Sequence, residues 1–261
     1  MNTHMAPLGV ADLTSAPAMI EVRDLVKEYG KVTAVGGISF TVRKGEVFAL
    51  LGPNGAGKTT TIKVLTTLLP PTRGGALVGG MDVVKEPHEV KKMFGIVFQE
   101  SSLDDEMTAM ENLNFYSALY GISKPIRAAR GEELLKEFEL WDRRNERVKA
   151  YSGGMRRRLE IIRSLMHTPQ LLVLDEPTVG LDPQARAHLW RRLQSLNANQ
   201  QMTIFLTTHY LEEVERVAHR LAIIDHGILI AEGTADEIKE RTQSVTLDEA
   251  FIKLTGEALR S

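Results

Sequence analysis

The chain has 261 residues, 43% hydrophobic and 25% charged, a balance that supports a sizeable buried core in one large domain or two small ones. Its 32 Lys and Arg against 34 Asp and Glu leave a net charge of -2, so bulk charge gives no strong pull toward nucleic acid or an anionic membrane. The absence of cysteine excludes disulfides, thiolate metal sites and thiol catalysis, and no apolar run approaches the ~20 residues of a membrane-spanning helix.

Residues 1–18 carry neither a basic leader nor a continuous apolar stretch, so they do not read as a secretory signal, and a short disordered lead-in is expected. Short β-branched and apolar runs follow at Ile20 to Leu25, Ile38 to Val42 and Val47 to Leu51, and read as strands. The third is apolar throughout, the pattern of a strand covered on both faces. It leads into Gly52-Pro53-Asn54-Gly55-Ala56-Gly57-Lys58-Thr59-Thr60, and a helix is expected from about Lys58 to the stop at Pro70-Pro71.

After Gly95-Ile96-Val97-Phe98-Gln99 the sequence turns helix-forming from about Thr108 to Leu140, interrupted by Gly121 and Pro125. Leu113, Tyr116 and Tyr120 follow helical spacing there and read as core. Strand-like runs return at Leu171 to Leu174, Thr203 to Thr207, Leu221 to Ile224 and Ile228 to Ala231, with helices expected at Pro183 to Leu196 and Tyr210 to Val217. This alternation implies a largely parallel sheet that binds ligands at the carboxyl ends of its strands. The tail is an amphipathic helix with Leu247, Ala250, Phe251 and Leu254 on one face, open to packing on its own subunit or on a twin.

The segment from Gly52 to Thr59 fits G-x-x-x-x-G-K-[ST] between a strand and a helix, the context of a Walker A loop. Glycines let backbone N–H groups turn inward onto phosphate oxygens, the helix amino end adds positive potential, and Lys58 neutralises the β and γ groups. Thr59 offers a hydroxyl to Mg²⁺. Leu171-Leu172-Val173-Leu174-Asp175-Glu176 is an apolar strand ending in two carboxylates, the Walker B pattern. Asp175 suits a hard cation that keeps most of its waters, and Glu176 suits a general base or water-orienting group.

Between these motifs stands Tyr151-Ser152-Gly153-Gly154-Met155-Arg156-Arg157-Arg158, and here the chain resembles the ATP-binding cassette (ABC) ATPases. Their signature is usually Leu-Ser-Gly-Gly-Gln; Tyr151 and Met155 depart from it. The resemblance implies a P-loop α/β fold with a RecA-like core, an N-terminal antiparallel β subdomain and a helical subdomain. It places the ATPase domain at residues 19–240, the helical subdomain at about 100–165 and a C-terminal tail at 241–261.

The family's motifs carry over by position. Tyr29 matches the aromatic that stacks on adenine, Gln99 the glutamine near Mg²⁺ and the attacking water, Asp182 the D-loop aspartate, and His209 the switch histidine at the γ-phosphate. Ser152, Gly153 and Gly154 match the signature residues that cover the nucleotide of a partner cassette. The resemblance therefore implies ATP and Mg²⁺, a second ATPase subunit in a homodimer, and separately encoded integral membrane permeases. It also implies a peripheral place at the cytoplasmic face of the cell membrane and no nucleic-acid partner.

The signature form and the segment Thr246 to Gly256 resemble the drug-exporter branch of daunorubicin-resistance ATPases. A soluble ABC ATPase acting on DNA or ribosomes is the alternative, but tandem cassettes, long coiled coils and zinc modules are not seen. The other six histidines show no metal-ligand spacing. From Gly121 to Arg163 twelve basic residues face seven acids, a +5 segment. It reads as a solvated helical face, as a surface for lipid headgroups or an acidic partner loop, or as a nucleic-acid patch.

Overall fold

The computed structural model describes residues 13–256. Most of the expected lead-in, residues 1–12, lies outside the described residues. In its described part Leu13–Ser15 makes one turn of 3-10 helix, and Lys44 N–H donates to Pro17 O at 2.8 Å.

Two sheets meet in the fold. The first is antiparallel and contains β1 (Ala18–Tyr29), β2 (Val32–Arg43), β4 (Arg73–Val78) and the short β5 (Met81–Asp82), in the order β2-β1-β4-β5. The second contains β3 (Val47–Leu51), β6 (Phe94–Val97), β7 (Leu171–Asp175), β8 (Thr203–Thr208), β9 (Arg220–Asp225) and β10 (Ile228–Gly233). Its order is β10-β9-β3-β8-β7-β6; β9, β3, β8, β7 and β6 pair in parallel and β10 returns antiparallel.

The five-residue run of β3 explains how the layers stack. Side chains alternate across a strand, so Val47, Ala49 and Leu51 enter one apolar cluster, shared with Leu172, Leu174, Ile204 and Leu206. Phe48 and Leu50 enter the opposite cluster with Val173, Phe205 and Ile224, against the antiparallel sheet. Phe40 of that sheet stacks on Phe48 at 5.5 Å between ring centroids. Because both faces are covered, β3, β7 and β8 are buried at every residue.

Helix α1 (Lys58–Leu65) ends five residues before Pro70. Thr66 Oγ1 donates back to Ile62 O and Thr67 takes a left-handed φ of 61°, which stops the helix before proline can. The helix α2 (Pro87–Met93) and the strand β4 escaped the sequence reading, being short and rich in charge or glycine. In the helical subdomain, α3 (Ala109–Leu119) starts on a capping box of Thr108 and Glu111. Gly121 at φ 70° then turns the chain into α4 (Lys124–Glu137), which carries Pro125 in its first turn.

Helix α5 (Gly153–Leu165) follows, and α6 (Pro183–Gln200) and α7 (Leu211–Val217) flank β8 in sequence. Leu113 is core as expected; Tyr116 is half-buried, whereas Tyr120 is 37% exposed and stacks on His167, so the helical spacing overstated its burial. At the C-terminus, α8 (Ala235–Thr242) precedes α9 (Leu247–Thr255). Leu247, Ala250 and Phe251 are buried in the same cluster as β3 and Leu254 packs against it, so the tail's apolar face lies on its own subunit. Among the described residues no helix is long and apolar enough to cross a membrane.

Candidate functional site

The parallel order brings the Walker A and Walker B motifs to one edge. Strands β3 and β7 do not touch; β8 lies between them, and Asp175 at the end of β7 is in register with Thr207 of β8. Lys58, Thr59, Asp175, Glu176 and His209 therefore gather around the carboxyl ends of three adjacent strands, where the amino end of α1 also opens.

The loop from Gly52 to Gly57 is shaped by close backbone approach. A Cβ at Gly52 would stand 2.2 Å from Ile224 O, and one at Gly57, whose φ is 109°, would stand 2.5 Å from Ala34 O. Only glycine fits both positions. Gly57 is also the N-cap of α1 and contributes no capping side chain, so the first-turn N–H groups stay available to an anion. Lys58 is 7% exposed and donates to Gly52 O at 2.6 Å and Pro53 O at 3.1 Å. Burial lowers its pKa from the ordinary lysine value, against the attraction of Glu176 and Asp175, which raises it.

Asp175 is held from two sides. Thr207 Oγ1 donates to its Oδ1 at 2.6 Å, and Thr59 Oγ1 faces its Oδ2 at 3.4 Å. That hydroxyl and carboxylate form a hard-oxygen pair suited to a cation that retains several waters. Among the described residues no group of three or more His, Asp or Glu side chains forms a metal cage.

Glu176 carries backbone strain. Its φ is 51°, in the left-handed region, which costs a non-glycine residue roughly 1–3 kcal/mol and persists only where surroundings enforce it. Its N–H donates to Thr207 O at 3.1 Å and Thr207 Oγ1 at 3.2 Å, and Arg157 Nη2 donates to its carbonyl at 3.1 Å. The carboxylate is nearly buried. His209 Nδ1 stands 2.7 Å from Glu176 Oε2, yet that oxygen has no hydrogen-bond partner. An orphaned buried carboxylate oxygen beside a histidine is a position that a donating water would satisfy.

The other expected residues lie farther out. Gln99 is exposed just past β6, and Asp175 and Glu176 bond to Thr207, Thr59 and Arg157 rather than to it. Tyr29 ends β1 with its ring 47% exposed and Lys27 Nζ 5.4 Å from its centroid. The hairpin it belongs to brings Ala34 O against Gly57 of the Walker A loop.

Ser152 and Gly154 line a separate cleft of about 270 Å³ with Asp182 and Gln184. Ser152 Oγ caps α5 by accepting from Met155 N–H, and Asp182 Oδ1 caps α6 by accepting from Ala185 N–H at 2.9 Å. Asp182 is thus the N-cap of α6 in this chain. Among the described residues no hydrogen bond joins the signature segment to the Walker A loop.

The basic segment is less solvent-facing than expected. Arg147 and Lys149 pair with Glu106 just outside it, and Lys136 with Glu132. Arg158 donates to Phe138 O at 2.9 Å and Arg163 to Ser102 O at 2.6 Å. Arg157 turns wholly inward, at 7% exposure. A solvated face therefore describes only part of the +5 segment, because several guanidinium groups bond to backbone carbonyls of other segments. Thr207 and Arg157 are the site residues that sequence reading did not single out. A threonine in a strand and an arginine in a basic run carry no distinctive local signal.

A family profile described as ABC transporter matches residues 35–179. The linearmycin resistance ATP-binding protein LnrL of Bacillus subtilis (strain 168) is 43% identical over 240 residues, covering 92% of this chain and 77% of that protein. The daunorubicin/doxorubicin resistance ATP-binding protein DrrA of Streptomyces peucetius is 45% identical over 234 residues, 90% of this chain and 71% of its own length. A solved ATP-binding subunit of an ABC transporter superposes with a TM-score of 0.82 at 33% identity, over 90% of this chain and 99% of that one.

Proposed function

The chain belongs to the ABC transporter ATP-binding family, and on that premise we propose that it hydrolyses ATP as one of two like cassettes driving a separate membrane permease. The permease would be an exporter of drugs or other lipophilic compounds, as the names of the resistance proteins at 43% and 45% identity suggest. The chain would work at the cytoplasmic face of the membrane, held there by the permease.

The observation that carries this reading is the buried assembly at the ends of β3, β8 and β7. Lys58 exchanges the carbonyls of Gly52 and Pro53 for the β and γ phosphates, and the loop N–H groups cradle the rest. Thr59 and Asp175 would hold Mg²⁺, which when bound offsets charge on the phosphate oxygens. Glu176 orients the attacking water or takes its proton, and His209, beside that carboxylate, contacts the γ-phosphate. Tyr29 stacks on the adenine, and Gln99, just past β6, is the residue of its loop that serves the metal and the attacking water.

The cleft of Ser152, Gly154 and Asp182 includes no Walker A residue, which favours completion of the site by a second chain in head-to-tail pairing. Transport then follows from ATP binding the closed pair better than the open one, and hydrolysis releases it. The test is Glu176→Gln. It is expected to bind ATP, nearly abolish turnover and shift the protein to a dimer on size exclusion with ATP. Full turnover in that variant refutes the assignment of Glu176.

A further inference from the structure

Arg157 sits in the first turns of α5, the helix whose start carries Gly153 and Gly154. Its side chain is 7% exposed and its partner Glu160 5%, with 3.0 Å between Nη1 and Oε2. Burial of such a pair is seldom a net source of stability, because desolvation offsets the attraction. The remaining donors point elsewhere. Nη1 also donates to Phe98 O at 2.7 Å, and Nη2 donates to Glu176 O at 3.1 Å.

Both carbonyls belong to segments that meet the nucleotide in the proposed reading. Phe98 directly precedes Gln99, and Glu176 is the strained residue at φ 51°. Thr207 fixes the N–H side of Glu176, and Arg157 fixes its carbonyl side. A left-handed glutamate held from both sides of its backbone has its carboxylate direction set by those two anchors.

We infer that Arg157 is a positioning residue for ATP hydrolysis, its guanidinium fork locking the backbones that aim Glu176 and Gln99. This rests on the assignment of those two residues to the γ-phosphate end of the site. Lysine cannot replace it, because a single ammonium lacks the planar fork that spans two carbonyls while keeping Glu160 paired.

The test compares Arg157→Lys, the double variant Arg157→Met with Glu160→Met, Glu160→Gln and Glu176→Gln in ATP turnover, ATP affinity and thermal unfolding. Arg157→Lys and the double variant are expected to lose kcat by about 10- to 100-fold, the scale of an ångström-level misplacement. Their KM and ATP affinity should stay within about threefold of the parent, which marks a transition-state rather than a binding loss. Glu160→Gln leaves both carbonyl bonds in place and should keep kcat within about threefold.

Unchanged kcat in either folded Arg157 variant overturns the proposal. A kcat loss that merely follows the unfolded fraction, and disappears at a temperature where the variant is folded, does so too. An equal loss in Glu160→Gln would assign the effect to the ion pair and likewise overturn it. Full turnover in Glu176→Gln refutes the underlying reading of the site; loss there with full turnover in Arg157→Lys refutes only the role of Arg157.

Discussion

Replacing Thr207 by valine removes one hydroxyl from the centre of the site while preserving its shape. In the structure that hydroxyl, fully buried, donates to Asp175 Oδ1 at 2.6 Å and accepts from Glu176 N–H at 3.2 Å. The first is a charge-assisted bond worth about 1.5–3 kcal/mol; the second is a long neutral bond worth at most about 0.5–1.5 kcal/mol. The second loss is cushioned because Glu176 N–H also donates to Thr207 O at 3.1 Å, a bond valine keeps. The expected destabilisation is about 2–4 kcal/mol, or a Tm lower by roughly 5–15 °C for a domain of this size. Urea unfolding and calorimetry measure it, with Thr207→Ser expected to stay near the parent. A change below about 0.5 kcal/mol in Thr207→Val would refute the claim that this hydroxyl anchors the Walker B carboxylate.

Three further outcomes are expected. Lys58→Ala should weaken ATP binding by roughly 1.5–3 kcal/mol, the scale of a charge-assisted bond, and unchanged affinity by calorimetry counts against the loop. Phe251→Ala, at a fully buried position of the C-terminal helix, should cost about 3–5 kcal/mol of unfolding free energy; a cost under about 1 kcal/mol would mean the tail is not part of the core. His219 accepts from Val47 N–H through Nδ1 at 2.9 Å, and burial lowers its pKa below the ordinary imidazole value. The folded state therefore favours the neutral ring. Its stabilisation is complete above the unfolded pKa of about 6.5 and is lost as pH falls from there toward the folded value. His219→Asn, whose Oδ1 can accept the same bond at any pH, should show a shallower loss of stability between about pH 7.5 and 5.5 than the parent. Equal slopes would remove His219 from the account.

Local sequence reached far into this protein because some of its physics is local. Glycine spacing dictates where a backbone can curl around phosphate, and an all-apolar pentapeptide reports a strand covered on both sides. From those signals the Walker A loop, the Walker B carboxylates, most strands of the parallel core and the amphipathic tail were legible, with β3 reproduced residue for residue. Elements lacking such signals were not: β4 becomes a strand through pairing such as Ile20 with Val78, and α8 buries only Ile238.

Tertiary structure decided which residues meet. That β8 lies between the Walker A and Walker B strands is a matter of strand order, and it alone puts Thr207 against Asp175, 32 residues away in sequence. It also turned Arg157 inward while Arg156 beside it pairs with Asp105, chose the chain's own core for the tail, and left the signature cleft apart from the phosphate loop. The physical reason is common to all four. Backbone conformation and burial periodicity are written within a few residues, whereas a hydrogen bond between distant segments exists only once packing has set their register.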